Sequence, residues 1–437
     1  MPTITLEDTT SDGVNPVFKG TYPTDYATVE VTVDNSGESL PDTVVTGKSL
    51  GGEYFIPADD TIEAVAEYSV KAGDTGSVVT GNKYNMGPKI VRANNGDYFI
   101  FYTSGTSHIS DDDVVVYKKL AKGADPASGW GSETLIKEDL TYSVGARITA
   151  AGVDRKTGRI MLFIAIRDDS AGDFATFESL YMYSDDNCAT WTEIDYYPTM
   201  ETVGTGSYGS IYPSASPNSD PDAVAFGIIF RTSVGLMVPF YASAKTLVVV
   251  FSYDDGDSWD FSNPIEVADL DGLGLPYNEP NVVMCDPDTL VILCRDQNDP
   301  GDYTWSKSTD GGLTWTAFAT PSSAYTGTTP LSPSPMTGWC VGERVYGAFT
   351  LRENYGKHVY TCISKTEFLA DPSDLWQTGA TIRVEEDISP ASRPAIDAGY
   401  HFMETIPGHE YTVYDVHYNP GTNSGEVDVK LRTVPIV

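Results

Sequence analysis

Hydrophobic positions along the 437-residue chain come in short runs or in strict alternation, and both are broken by Gly, Pro, Asn and Asp. Val29, Val31 and Val33 alternate with polar residues, as do Ile62, Ala64, Ala66, Tyr68 and Val70, each set predicting a half-buried strand. Phe18-Lys19-Gly20-Thr21-Tyr22 and Tyr54-Phe55-Ile56 add strand candidates. No long stretch carries the three-to-four-residue spacing of an amphipathic helix, so the pattern predicts an all-β chain.

From residue 77 a period takes over. Trp130, Trp191, Trp259, Trp315 and Trp376 follow one another at steps of 61, 68, 56 and 61 residues. Upstream of each lies a short opening: Gly87-Pro88-Lys89-Ile90, Gly145-Ala146-Arg147-Ile148, Tyr212-Pro213-Ser214, Glu279-Pro280-Asn281-Val282 and Ser332-Pro333-Ser334. A sixth opening, Arg393-Pro394-Ala395-Ile396, follows the last tryptophan. Repetition at this period indicates radial repeats, and six openings predict a six-bladed β-propeller over residues 77–437. The alternation at 427–431 is expected to close the ring against the segment around Val78-Val79. Residues 1–76 lack the period and are expected to form a small β-sandwich of immunoglobulin-like pattern, with a boundary at Lys71-Ala72-Gly73-Asp74-Thr75-Gly76.

Charge narrows the functional classes. Sixty-two acidic against 27 basic residues give a formal charge of −35, which repels phosphate backbones and anionic bilayers and argues against nucleic acid or membrane insertion. The most apolar run, 160–166, is far too short to span a bilayer. Five scattered cysteines show neither metal-ligand spacing nor an even disulfide count and read as free thiols. The first residues lack a basic segment followed by an apolar one, so synthesis in the cytoplasm without a signal peptide is expected. An acidic, lysine-poor surface suits work outside cells, and a virion component released by lysis satisfies both observations.

The segment 308–315 reads Ser-Thr-Asp-Gly-Gly-Leu-Thr-Trp and fits Ser-x-Asp-x-Gly-x-Thr-Trp. Residues 252–259 differ by Ser for Thr, and 184–191 place Cys188 where Gly belongs. This motif resembles the Asp-box of the sialidase (neuraminidase) superfamily, a folding device in which the Asp accepts backbone N–H bonds and the Gly takes a positive φ. Together with the segment 278–283 and Leu293-Cys294-Arg295, it makes the chain from residue 77 resemble that superfamily, here preceded by a module similar to those of phage tail proteins. The resemblance implies a Tyr nucleophile paired with a Glu, an Asp acid/base and three arginines that clamp the substrate carboxylate. Residue by residue it assigns the Glu to Glu279, one arginine to Arg295 and the acid/base to Asp111. The first arginine has no counterpart, since Met86-Gly87-Pro88 occupies its place. In the last blade Ser392-Arg393 stands where the Tyr is expected, leaving Tyr400, Tyr411 and Tyr414 as alternatives.

A second pattern stands without the resemblance. Arg167, Arg231, Arg295 and Arg352 each end an apolar run, at steps of 64, 64 and 57, among only 12 arginines. They are either anion-binding groups at a channel mouth, where a planar fork suits a carboxylate, or struts paired with nearby acids. With Arg393 they form the candidate substrate-binding set. The acidic run 111–113 is either a solvated turn or a calcium site; no cofactor or metal is expected, and the five histidines read as packing or surface residues. The expected function is host-glycan recognition by a virion-associated protein docked to other virion proteins through residues 1–76, with a homo-oligomer among the expected states. The alternatives are an active exo-glycosidase on an acidic glycan and a purely structural adaptor.

Overall fold

A computed structural model describes residues 67–71, 83–107, 112–137, 145–167, 177–194, 223–242, 246–269, 277–296, 302–319, 322–323, 334–351, 357–377, 380–386, 399–406, 409–420 and 426–435, with four short strands before residue 66. The chain divides into two compact units, Met1–Val65 and Ala66–Val437. In the first, Glu7–Asp8 pairs with Phe18–Lys19 and Thr28–Val33 with Thr43–Lys48, both antiparallel. The second register sets Val29 opposite Gly47, Val31 opposite Val45 and Val33 opposite Thr43. The rest of the expected sandwich lies outside the described residues.

The second unit is a β-propeller. Its six inner strands are Tyr84–Arg92, Ala146–Val153, Gly227–Arg231, Tyr277–Met284, Thr337–Val341 and Gly399–Ile406, and each opens an antiparallel sheet. Blade 4 is typical: Tyr277–Met284, Leu290–Asp296, Asp302–Ser308 and Ser322–Ser323 follow in order. Buried apolar residues gather at every junction around the ring. Val91, Phe99 and Phe101 meet Ile148 and Leu162 between blades 1 and 2, and Ile90 and Ile100 meet Phe402 and Val416 between blades 6 and 1. The junctions 2–3, 3–4, 4–5 and 5–6 each have their own cluster. Burying both faces of each sheet is what closes the ring, and a junction side chain such as Phe101 contributes roughly 2–3 kcal/mol.

The tryptophan period is a packing period. Trp191 meets Phe101 of the preceding blade at 6.0 Å, Trp259 meets Phe163 at 5.3 Å, and Trp376 meets Tyr303 at 5.5 Å. In blade 5 the Asp-box is replaced by the helix Lys365–Ala370 and the 3-10 turn Pro372–Trp376, which still deliver a fully buried tryptophan. Inner strands approach closely enough that a Cβ on Gly152 would lie 1.9 Å from the Ile229 carbonyl oxygen.

Val78-Val79, the expected partner of 427–431 in closing the ring, lies outside the described residues. Val427–Pro435 is the third strand of blade 6, and the fourth is Glu67–Lys71, from before the expected boundary. The alternation of Tyr68 and Val70 is the same whichever sheet receives them, so the pattern could not name the partner. One parallel pair, Val427 with Tyr84, and a 2.9 Å bond from Asn85 Nδ2 to the Val427 carbonyl join blade 6 to blade 1.

Candidate active site

Three inner strands carry one extra residue near their start, so that two residues stand opposite one of the neighbouring strand. The register jumps between Met86 and Lys89, between Asn278 and Asn281, and between Gly399 and Phe402. The first residue inside each irregularity is left-handed: Gly87 at φ 59°, Glu279 at φ 52° and Tyr400 at φ 50°. Glycine takes this conformation freely, whereas Glu and Tyr each give up about 1–2 kcal/mol to adopt it. A bulge turns a side chain out of the alternation, and strain of this kind collects at functional sites. Here it brings blades 4 and 6 together.

The Tyr400 hydroxyl donates to Oε1 of Glu279, and Arg295 Nε pairs with Oε2 of the same carboxylate. Arg295 lies opposite Asn278 in the register of blade 4, which places its guanidinium beside the bulge. Glu279 and Arg295 are 7% and 6% exposed, and Tyr400 is half-buried. Burial works against the Arg295 charge, but Glu279 and then Tyr400 more than offset it and hold its pKa above the ordinary arginine value. Phe226 and Tyr418 flank the Tyr400 ring at 5.9 and 5.7 Å. Tyr241 is half-buried nearby, and desolvation together with the Glu279 charge raises its pKa well above the usual phenol range.

Behind Tyr400, its neighbour His401 enters a buried polar network. His401 Nδ1 lies 2.9 Å and His417 Nδ1 3.1 Å from Asp415 Oδ2, which also accepts the Tyr360 hydroxyl at 2.7 Å. Thr350 Oγ1 bonds His401 Nε2 at 2.8 Å, and His358 Nε2 reaches Asn419 Oδ1 at 2.8 Å. His401, Asp415 and His417 stand close enough to share a metal ion. Three donors already occupy the carboxylate, and Arg432 reaches Tyr360 Oη at 3.5 Å, so the group fits a hydrogen-bonded support better than a cation site. Burial lowers the pKa of His358 and His401, which keeps both neutral, while the histidine contacts overcome burial and hold Asp415 well below the usual carboxylate range.

Of the residues singled out by sequence, Glu279 and Arg295 meet. Arg231 does not join them. It ends the inner strand of blade 3, whereas Arg295 lies near the end of a second strand; antiparallel neighbours end on opposite faces. Arg231 instead binds Asp154 through Nε at 2.7 Å and Nη2 at 2.8 Å, and Asp255 at 2.6 Å. It is a strut on the Asp-box face, and the equal steps of 64 hid the change of strand. Arg167 ends the second strand of blade 2, its backbone paired with Phe177. Asp111, Arg352 and Arg393 lie outside the described residues. Asp113 pairs with Arg147 at 2.7 Å, and Asp112 accepts the Thr106 hydroxyl at 3.0 Å, so two members of the acidic run serve local structure. Sequence reasoning left Tyr400 among three tyrosines because its bulge, Gly399-Tyr400-His401, lacks the proline of the other two bulges, Pro88 and Pro280. It passed over Lys89, although that residue stands in a quoted opening.

Residues 96–335 match a family model described as a BNR repeat-like domain. No curated protein matches the chain in sequence. Among solved structures, a protein of unknown function from Dyadobacter fermentans aligns at TM-score 0.62 and 15% identity, over 86% of this chain and 100% of its own. A Hadza microbial sialidase aligns at 0.57 and 16%, over 92% and 75%. The intramolecular trans-sialidase from Ruminococcus gnavus aligns at 0.54 and 14%, over 82% and 95%. At these identities the likeness is one of fold.

Proposed function

This chain belongs to the family of BNR repeat-like domains, and from that premise we propose that it is a glycoside hydrolase of sialidase type acting on a carboxylate-bearing sugar. One observation carries the reading: a single carboxylate, Glu279, joins the Tyr400 hydroxyl to the Arg295 guanidinium inside a strained, largely buried site. Tyr400 Oη attacks the anomeric carbon as its proton passes to Glu279 and the glycosidic C–O bond breaks, giving a glycosyl–tyrosine intermediate that water then hydrolyses. A neutral phenol approaches an anionic sugar without the repulsion a second carboxylate would meet. The five donors of Arg295 serve Glu279 and the sugar carboxylate together, and Asp111 is the candidate acid for the leaving group, with Arg352 and Arg393 as candidates to complete the anion clamp.

The test is turnover of a fluorogenic sialoside and of neutral glycosides. Wild-type protein should cleave the acidic substrate, and Glu279→Gln should lose about 10²–10⁴-fold in kcat. No wild-type turnover on any acidic glycoside would end the hydrolase reading. A second reading, glycan recognition without cleavage on a virion, draws on Met86 standing where the resemblance implies an arginine. Retention of acidic oligosaccharides on an array by a protein with no turnover would select it.

A further inference from the structure

Lys89 follows the Gly87-Pro88 bulge on the inner strand of blade 1 and is 3% exposed. Its Nζ lies 5.2 Å from the ring centre of Phe226, in blade 3, and 5.4 Å from that of Phe402, in blade 6. Side chains from blades 1, 3 and 6 therefore converge on one amine, which sets it toward the axis of the propeller. Phe226 is also the ring against Tyr400. Two aromatic faces offer a buried cation some return through their quadrupoles, but a methionine would fill the same space without any desolvation cost.

The charges of the site show what the amine adds. Glu279 and Arg295 cancel one another, leaving the pair neutral. A monoanionic sugar entering beside them brings a negative charge into a protein whose formal charge is −35. We propose that Lys89 is the specificity-determining cation of this site, a positioning residue that makes the pocket net positive by one charge among the described residues and so selects anionic over neutral glycosides. It acts across Phe226 and through Glu279, without touching the substrate. The titratable group facing it is Glu279 of blade 4, and Arg295, Tyr400 of blade 6 and Tyr241 of blade 3 gather around Glu279 in turn. Arg147 of blade 2 is occupied by Asp113, and Glu404 of blade 6 by Arg155. Burial pulls the Lys89 pKa down to about 8, only partly opposed by Glu279, so its charge is lost just above neutral pH.

The inference rests on the hydrolase reading for its consequence in substrate choice, and its test separates the two. Binding of N-acetylneuraminic acid is measured by calorimetry between pH 6 and 9 for wild type, Lys89→Met and Lys89→Arg, beside thermal melts over the same range. At pH 6.5, Lys89→Met should bind about tenfold more weakly, as expected for a charge several ångströms away at an intermediate dielectric. Wild-type affinity should approach that of Lys89→Met as pH passes 8, whereas Lys89→Arg should stay tight. The melts carry the opposite sign. The unfolded chain holds the Lys89 proton up to about pH 10.5 and the folded chain only to about 8, so wild type gains stability as pH rises through that window. Lys89→Met lacks the buried charge and should melt higher than wild type at pH 7. Should Lys89→Met not fold, Lys89→Gln replaces it. Equal wild-type and Lys89→Met affinities overturn this proposal alone, as does a Lys89→Met protein that is both weaker in binding and less stable, since that marks a packing role. A wild type that neither binds nor cleaves the sugar overturns both readings.

Discussion

Arg295 and Arg231 sit 64 residues apart at the ends of similar apolar strands, yet they occupy opposite faces of the propeller and do opposite work. Arg295 is 6% exposed and paired with Glu279, whose carboxylate also accepts the Tyr400 hydroxyl, where two backbone residues are strained. The Arg231 side chain is 30% exposed and joins Asp154 to Asp255 across blades 2 and 3. One face is built from distortions of the repeat, with bulges, left-handed residues and charges brought out of alternation. The other is built from the repeat itself. In each of three Asp-boxes the same serine oxygen accepts a backbone N–H, at 2.8 Å for Cys188 and Gly256 and 2.9 Å for Gly312. The irregular face carries the candidate site, and the regular face carries the repeat.

If that division holds, changes at the bulges should strike activity and leave the melting temperature nearly untouched. Tyr400→Phe should show the largest effect, a fall of at least about 10³-fold in kcat on an acidic glycoside, equivalent to about 4 kcal/mol of barrier. Removing a hydroxyl leaves ring packing against Phe226 and Tyr418 intact, so the melt should move by less than a few degrees. A protein that keeps its rate would remove Tyr400 from the chemistry. One that unfolds would show that the hydroxyl is a structural anchor, and the contrast between the faces would fail.

Much of the fold was legible because its cause is local. Strand alternation, turn residues and a tryptophan that packs on the preceding blade all repeat within one blade, and so they repeat in the sequence. Ring closure was less legible, since pairing Glu67–Lys71 with Val427–Pro435 joins the two ends of the propeller and leaves no periodic mark. At the site, Glu279 and Arg295 could be read because they share one blade and a recognisable segment. Tyr400 reaches Glu279 from another blade, through an irregularity at Gly399 that follows none of the other openings. Lys89 was hidden for the converse reason: a lysine after Gly-Pro reads as a solvent-facing residue until three blades close over it.

The arginine pair sharpens the comparison further. Arg295→Ala should lower kcat/KM on an acidic glycoside by about 10²-fold, since it strips the partner from a buried carboxylate beside the proposed nucleophile. Arg231→Ala should leave kcat/KM unchanged and cost about 2 kcal/mol in a urea melt, a figure discounted for the exposure of Arg231. The pH dependence follows from Asp154. Burial resists its ionisation, but the Arg231 guanidinium prevails and brings its pKa down to about 2. A depressed carboxyl stabilises the fold fully above its unfolded value near 4, and that contribution is lost as pH falls from about 4 toward 2. Arg231→Ala should therefore flatten the wild-type loss of stability across that acid window. Equal losses of activity in the two arginine variants would mean that the faces are coupled.

The smallest effect tests the regular face at its most regular point. Asp310 Oδ1 accepts the Thr314 backbone N–H at 2.9 Å and Oδ2 the Thr314 hydroxyl at 2.6 Å, closing the turn whose Trp315 Nε1 donates to the Gly312 carbonyl at 3.0 Å. Burial pushes the Asp310 carboxyl up, but the hydrogen bonds from Thr314, Ser308 and Leu313 together outweigh it and hold the pKa below its ordinary value. Asp310→Ala should destabilise blade 4 by about 1–2 kcal/mol, the cost of losing a capping carboxylate from a turn, and should not alter turnover. Blade 4 is the informative place for this change because it carries both the best-formed Asp-box and the Glu279–Arg295 pair. Ser308 pairs with Leu290 at one end of its second strand, and Tyr303 pairs with Arg295 toward the other. A thermal melt and a rate measurement on one variant thus ask whether a single sheet can loosen at its folding end and still hold its chemical end. A fall in kcat larger than the fraction unfolded at the assay temperature would show that the Asp-box helps to aim Glu279, and that the irregular face draws on the regular one within the same blade.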